Sequence, residues 1–372
     1  MSAPDAPSAT TSASPAAARV TTSPTSVDAA ALPSLSAVLP TYNEAGWLAD
    51  TVEALRVAVA EAGWPGVELL VVDDGSTDDT AAVLRTLSGP AADDASPGGP
   101  VDGLTVRHLR QDNAGRLAAR RRGLGEATGE LVLFLDSRVH LHPSSLAFVA
   151  TQLREHPDRR IWNGHAVTAS TSAPWTRFWD AITFLAWRRY LRAPRTTSYG
   201  AEEFEWFPKG TTCFMAPREQ LIDATDRVES RSADPHLAND DTLMIRNLLD
   251  FGRINISPEF ACTYHPRSTL RAFLRNAYHR GSVLVDGHLR PGQRFHRLFL
   301  VLAVAAPVVG LPMLRRPRRF AVASAGASVG AGAAAAAAGV PVRDAASFGA
   351  LLVPFSVAYG AGIVRGFRNR VR

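Results

Sequence analysis

Four short apolar runs alternate with helical stretches between residues 35 and 135, and nothing else in the sequence narrows the fold as much. The runs at 35–40, 67–72, 104–109 and 131–135 are too short for helices. The second, Val67-Glu68-Leu69-Leu70-Val71-Val72, is nearly continuous in apolar residues, the mark of a strand buried on both faces. Between them, Trp47, Leu48, Val52, Leu55 and Val59 fall at helical spacing within 44–62. Ser76, Thr77 and Asp78 supply caps for a helix over 78–87, and a third helix is expected over 117–127. Strands and helices in this rhythm predict an α/β domain with a mostly parallel, doubly wound sheet and helices on both faces. The Gly-, Pro- and Asp-rich segment 88–103 reads as an insertion loop.

Composition excludes several classes. The 372 residues are 46% hydrophobic and 20% charged, too apolar for a disordered chain and ample for a sizeable core. Cys213 and Cys262 are too few for a disulfide framework, so a reducing compartment is expected. The net charge of +5 is unevenly spread: residues 298–372 hold nine Arg and one Asp, which leaves 31 basic and 34 acidic residues in 1–297. The basic excess sits beside apolar runs, which points to a membrane as partner and away from nucleic acid.

The ends of the chain differ from its body. Residues 1–33 are mostly Ala, Ser, Thr and Pro, too poor in large apolar side chains to offset their ordering entropy, and read as a disordered tail. That tail has no apolar core of a signal peptide, so residues 34–290, the α/β domain, are expected in the cytoplasm. In 291–372, three runs are uncharged: 298–314, 320–342 and 345–364. About 20 helical residues cross a bilayer. Arg315, Arg316, Arg318 and Arg319 precede the second run, and Arg365, Arg368, Arg370 and Arg372 follow the third. With both clusters inside, 320–342 and 345–364 form a transmembrane hairpin that turns outside at Val342-Arg343-Asp344. The run 298–314, broken by Pro307 and Pro312, starts and ends inside and is expected to be re-entrant or interfacial. The expected location is therefore a multi-pass membrane protein with its catalytic domain in the cytoplasm.

Ligands of doubly wound sheets bind beyond the carboxyl ends of the strands. The residues that follow the four runs there are Pro40, Thr41, Tyr42, Asn43 and Glu44; Asp73, Asp74, Gly75 and Ser76; Asn113, Gly115, Arg116 and Arg120; and Asp136, Ser137 and Arg138. One such loop is ordinary turn chemistry, whereas four polar loops on one edge describe a site. These segments, Pro40-Thr41-Tyr42-Asn43-Glu44, Val71-Val72-Asp73-Asp74-Gly75-Ser76-Thr77-Asp78, Asn113-x-Gly115-x-x-x-Ala119-Arg120-x-x-Gly123, Phe134-Leu135-Asp136-Ser137 and Asn239-Asp240-Asp241, resemble inverting family-2 glycosyltransferases of the GT-A fold. The resemblance covers roughly residues 35–290. The segment Tyr264-x-Pro266-Arg267-Ser268-Thr269-Leu270, with Tyr278-x-Arg280-Gly281, is more loosely similar to succinoglycan-type membrane-anchored glucosyltransferases.

The resemblance implies a nucleotide-sugar donor and a lipid-linked or polysaccharide acceptor. Thr41, Tyr42 and Glu44 would line the nucleoside pocket, Asp73 would accept a hydrogen bond from the base, and Arg116 and Arg120 would hold the diphosphate with forked donors. The family usually pairs Asp136 with a second acid two residues on, to hold Mg²⁺ or Mn²⁺; here that position is Arg138. Either Asp136 holds the cation with help from His140 or another group, or Arg138 itself neutralises the leaving diphosphate. A catalytically impaired relative, acting as a membrane-anchored nucleotide- or partner-binding module, is the alternative. An inverting transfer needs a base for the acceptor hydroxyl. Asp240-Asp241 resembles the family's Glu-Asp acceptor-site motif; against that pattern the distance to Gly252 favours Asp241 as the base and the distance to Arg246 favours Asp240, although both carboxylates also suit a helix cap. Lys209 and Gly210 fall where the family approaches its acceptor, and His265, Arg267, His279 and Arg280 fall at the link to the membrane segment. Those cations suit a lipid diphosphate, anionic headgroups or plain interfacial basicity. Trp175, Phe178, Trp179, Phe184, Trp187 and Tyr190 are spaced as helix packing.

Overall fold

The computed structural model describes residues 31–88, 103–169, 173–229, 240–267, 269–287 and 315–369. The tail through residue 30, the loop 89–102 and the first uncharged run at 298–314 lie outside them. The four expected strands form: β1 (Leu35–Thr41), β2 (Val67–Asp73), β3 (Leu104–Arg110) and β4 (Leu131–Leu135), all parallel, in the order β3–β2–β1–β4. Thr41 lies opposite Asp73 and Asp73 opposite Arg110, so the carboxyl ends of β1, β2 and β3 finish level. That level edge brings their loops together.

Beyond β4 the sheet is mixed, which corrects the mostly parallel expectation. Five further strands follow: β5 (Val139–Leu141), β6 (Trp162–Thr168), β7 (Thr197–Tyr199), β8 (Cys213–Pro217) and β9 (Ile254–Tyr264). The path continues β4–β8–β6–β9–β5, with β7 also on β9. Only β6 and β9 pair in parallel there; β4–β8, β6–β8, β5–β9 and β7–β9 are antiparallel. Rhythm alone predicts parallel pairing where each strand is followed by a crossover helix. It says nothing about short strands reached by long excursions.

Alternation along the central strands feeds two cores. Leu35, Ala37 and Leu39 of β1, with Leu69 and Val71 of β2 and Leu131, Leu133 and Leu135 of β4, face one side. They pack against α1 (Ala45–Ala62), α2 (Thr80–Ser88) and α4 (Ser145–Glu155). Val38, Leu70, Val72, Val132 and Phe134 face the other side, against α3 (Arg116–Glu126), α6 (Arg218–Asp226) and α7 (Asp240–Leu248). Each fully buried Leu, Val or Phe contributes about 1.5–3 kcal/mol relative to exposure, so slipping a strand by one residue would forfeit both faces at once. Gly123 of α3 lies directly on Val38; a Cβ there would collide with its side chain, which is why this helix seats so close to the sheet.

A third layer holds the rest: α5 (Pro174–Leu191), α8 (Leu270–Gly287), α9 (Pro317–Ala337) and α10 (Val342–Arg368). The aromatic stretch of α5 is packing, as its spacing predicts. Phe178 lies 5.2 Å from Phe273 of α8 and 4.8 Å from Phe355 of α10, ring centre to ring centre. Helices α9 and α10 are long and apolar enough to cross a membrane. Where they meet, a Cβ on Gly349 would lie 2.5 Å from the Ser328 carbonyl oxygen, so small residues let the two backbones touch. The turn between them rests on α5. Arg192 at the end of α5 donates to the Ala338 carbonyl at 3.3 Å. Val340 and Ala345 share a small core with Ala181 of α5. A recess of about 320 Å³ is walled by Thr168, Arg177 and Asp180 on one side and Pro341–Asp344 on the other.

Candidate active site

The strand-end loops meet in an open cleft of about 590 Å³. Pro40, Thr41, Tyr42 and Glu44 arrive from the loop after β1. Asn43 takes a left-handed backbone (φ 55°) at the tip of this turn, and its side-chain oxygen accepts the Thr77 N–H at 2.8 Å. Its own N–H donates to the Ser76 hydroxyl at 2.9 Å, so the first two loops are cross-braced. Thr41 belongs to this lining, and its hydroxyl oxygen is buried with no hydrogen-bond partner among the described residues.

Asp74 and Asp73 divide the work between cleft and frame. The Asp74 carboxylate accepts the backbone N–H groups of Ala114 and Gly115, each at 2.9 Å, and the Gln111 side-chain amide at 2.8 Å. It thereby fixes the entrance to α3, where Gly115 sits at φ 92°, a conformation that excludes side chains. Asp73 does not line the cleft. Its carboxylate is buried, accepts the Ser76 N–H at 2.8 Å and pairs with Arg110 at 2.5 Å. Asp73 was expected to accept a hydrogen bond from the base; here its carboxylate braces Ser76 and Arg110.

Arg120 is the centre of the site. Its side chain is only 3% exposed, yet it bridges two carboxylates: Asp136 at 3.1 Å and Asp241, which it also bonds directly. Asp241 further accepts the Thr211 hydroxyl at 2.5 Å and lies 3.4 Å from the half-exposed Arg116. Burial alone would raise the Asp241 carboxyl; Arg116, Arg120 and the Thr211 hydroxyl outweigh it and hold the group well below the usual carboxylate range. Asp136 and Asp241, 105 positions apart, therefore belong to one ionic cluster at the carboxyl edge of the sheet. Ser137 donates to the Pro40 carbonyl at 3.0 Å and ties the fourth loop to the first.

Arg138 faces the cleft but is engaged: its Nε donates to Glu44 at 2.7 Å and its guanidinium lies 4.9 Å above the Trp47 ring. The other Glu44 oxygen pairs with Arg267 at 2.5 Å. Divalent cations need several oxygen ligands. Among the described residues, no group of three or more His, Asp, Glu or Cys side chains could hold one. The oxygen of Asp136 meets a guanidinium, and the expected second acid is a cation. His140 does not line the cleft; its ring packs, tilted by 45°, against that of His265 at 4.2 Å. These residues do not fit a dedicated cation site.

The acceptor-side expectations divide. Arg267 and His279 line the cleft, as do Tyr264 and Val283, which sequence reasoning missed. Lys209 does not: it is buried against the Phe204 ring at 4.8 Å and pairs with Glu205 at 3.3 Å, and Arg246 holds the same carboxylate at 2.6 Å. Gly210 is likewise absent from the lining, as are His265, whose ring centre lies 5.0 Å from that of Trp47, and Arg280, which lies over Trp179 at 4.8 Å. Thr211 and Arg110 were also missed, because hydroxyl and guanidinium partners of a carboxylate follow from tertiary proximity and carry no local pattern. Of Asp240 only the backbone, at the start of α7, is described.

Residues 36–218 match the family model for glycosyl transferase family 2. They form a family 2 glycosyltransferase domain. The chain is 33% identical over 121 residues to a dodecaprenyl-phosphate galacturonate synthase of Rhizobium johnstonii, 32% of either chain. It is 35% identical over 112 residues to an undecaprenyl-phosphate 4-deoxy-4-formamido-L-arabinose transferase of Sodalis glossinidius, 30% of this chain and 31% of that one. It spans about a third of the length of these two relatives. A putative teichuronic acid biosynthesis glycosyltransferase of Bacillus subtilis, TuaG, is 26% identical over 160 residues, 43% of this chain and 58% of that one. Among solved structures, a mannosyltransferase of Pyrobaculum calidifontis in complex with GDP-Man and Mn²⁺ aligns at TM-score 0.48 and 20% identity, over 88% of this chain and 87% of that one. Residues 36–218 thus contribute all four strand-end loops, while Arg267 and His279 enter the cleft from beyond them and Asp241, also beyond them, reaches the site through Arg120 without lining the cleft.

Proposed function

We propose that this chain transfers a sugar, with inversion at the anomeric carbon, from a nucleotide-sugar donor to a lipid-linked or polysaccharide acceptor at the cytoplasmic face of the membrane. The observation that carries the reading is Arg120, buried behind the cleft between Asp241 and Asp136, of which Asp136 lines the cleft. The four strand-end loops hold the donor, and Thr41 offers it a hydroxyl with no partner among the described residues. Arg116 and Arg120 take the diphosphate. Asp241 accepts the proton of the acceptor hydroxyl as it attacks. With both arginines on its carboxylate Asp241 is a weak base; when the donor's phosphates draw them away, its proton affinity rises and the base becomes competent. The polyprenyl-phosphate and teichuronic acid names of the relatives support the acceptor class.

Membrane association follows from α9 and α10. Val322 and Val329 of α9 are about three-quarters exposed, on a helix apolar all round, and such a surface needs lipid to cover it. The packing of the hairpin turn on α5 favours a hairpin lying along the membrane-facing side of the catalytic body. α5 carries Arg177, Asp180, Arg188 and Arg189, too many charges to accompany it across a bilayer.

The assay is release of nucleoside diphosphate from a panel of nucleotide sugars by the full-length protein. Asp241→Asn is expected to lower turnover by roughly 10²–10⁴-fold while nucleoside diphosphate still binds, and Asp240→Asn to retain most activity. Full turnover in Asp241→Asn removes the proposed base. Arg138, in place of an acid, favours the second reading of a non-catalytic binding module. Nucleotide binding without turnover of any donor would select it.

A further inference from the structure

Every carboxylate of the cleft already has its donors. Asp74 holds three N–H groups, Glu44 holds Arg138 and Arg267, Asp136 holds Arg120, and Asp241 holds Arg120, Arg116 and Thr211. A divalent cation recruits such oxygens here only in competition with these donors, and would then sit among guanidinium groups. An incoming diphosphate meets the opposite field. Arg116 is half exposed at the mouth of α3. Arg138 is held through its Nε by Glu44 and on one face by Trp47, so a preoriented guanidinium belongs to the cleft lining. Planar forked donors match phosphate oxygens two at a time.

We propose that this chain binds the diphosphate of its donor with guanidinium groups, Arg138 and Arg116 foremost, and that it needs no divalent cation to do so. Arg138 occupies the position from which relatives of the expected pattern present a second carboxylate to a metal, and carries the positive charge on the protein itself. Glu44 and Trp47 are its positioning residues, and Arg267 balances the second Glu44 oxygen. The inference rests on the nucleotide-sugar reading above.

The test is calorimetric titration of the full-length protein with UDP and with GDP, once with excess EDTA and once with Mg²⁺. Whichever nucleotide binds is expected to bind within about twofold equally in both conditions. Arg138→Gln and Arg116→Gln should each weaken it roughly 10–100-fold, the loss of one charge-assisted phosphate contact. Arg116 is exposed enough for its variant to fold, and a cooperative melt checks the Arg138 variant. Arg138→Asp restores a carboxylate pair and should make the residual binding depend on Mg²⁺. Binding that vanishes in EDTA overturns the inference and leaves the glycosyltransferase reading standing. Undiminished metal-free binding in Arg138→Gln also overturns it, and no nucleotide binding in either condition overturns both.

Discussion

Asp241 shows how far one residue's chemistry depends on neighbours distant in the chain. Its partners Arg116, Arg120 and Thr211 come from the start of α3 and the loop before β8, and together they depress the carboxyl below its ordinary 3.8 despite burial. A group depressed in the folded state adds stability that is fully present above its unfolded value. That stability is lost as pH falls toward the folded one. The melting temperature of Asp241→Asn should therefore sit below wild type by a constant margin from about pH 5 to 8, equivalent to about 1.5–3 kcal/mol for the lost charge-assisted bonds. The margin should close as pH falls below about 4. A margin that stays constant into acid would mean the arginines do not hold this carboxylate. Asp241 and Arg120 were legible as motif positions, and so was the anomaly at Arg138. That Arg138 pairs with Glu44, and Arg267 with the same side chain, was not, because those contacts span 94 and 223 positions.

Among the elements, α8 is the hinge between cleft and membrane layer. One side of it puts His279 and Val283 into the cleft, and the other lies against α10. The crossing is built on Gly281 and Gly362: a Cβ on Gly281 would collide with the Tyr359 carbonyl oxygen, and one on Gly362 with that of Tyr278. Gly281→Val should separate the two helices and cost on the order of 1–3 kcal/mol, read as a lower melting temperature and faster proteolysis near Tyr359. Because His279 and Val283 share the helix, the Michaelis constant for the acceptor should rise more than that for the donor. An unchanged melt and acceptor constant would show that the crossing does not form. Strands β1 to β4 and helices α1 to α3 were readable from apolar period and cap residues, within a residue or two. The antiparallel half was not, since pairing direction depends on where the chain returns.

For the whole molecule, the decisive contact is the α9–α10 turn on α5. Single cysteines can locate it, since Cys213 and Cys262 are buried and their mutual contact, together with burial, pushes the Cys213 thiol well up, so the background is low. Val342→Cys at the turn should react with an impermeant maleimide only under conditions that also label Glu219→Cys, on the exposed face of α6. Labelling of position 342 from the opposite side would establish the crossing hairpin instead. Charge and hydropathy alone predicted that crossing, because they register which segments lipid tolerates and where arginines cluster. By itself the sequence determined the alternating α/β frame, the polar loops at its carboxyl edge and the two long apolar helices, each encoded in period or motif over a few neighbouring residues. The tertiary structure alone decided which carboxylate meets which guanidinium, that the outer half of the sheet is mixed, and where the hairpin turn rests. Those outcomes depend on contacts between segments tens to hundreds of residues apart, and no local pattern records them.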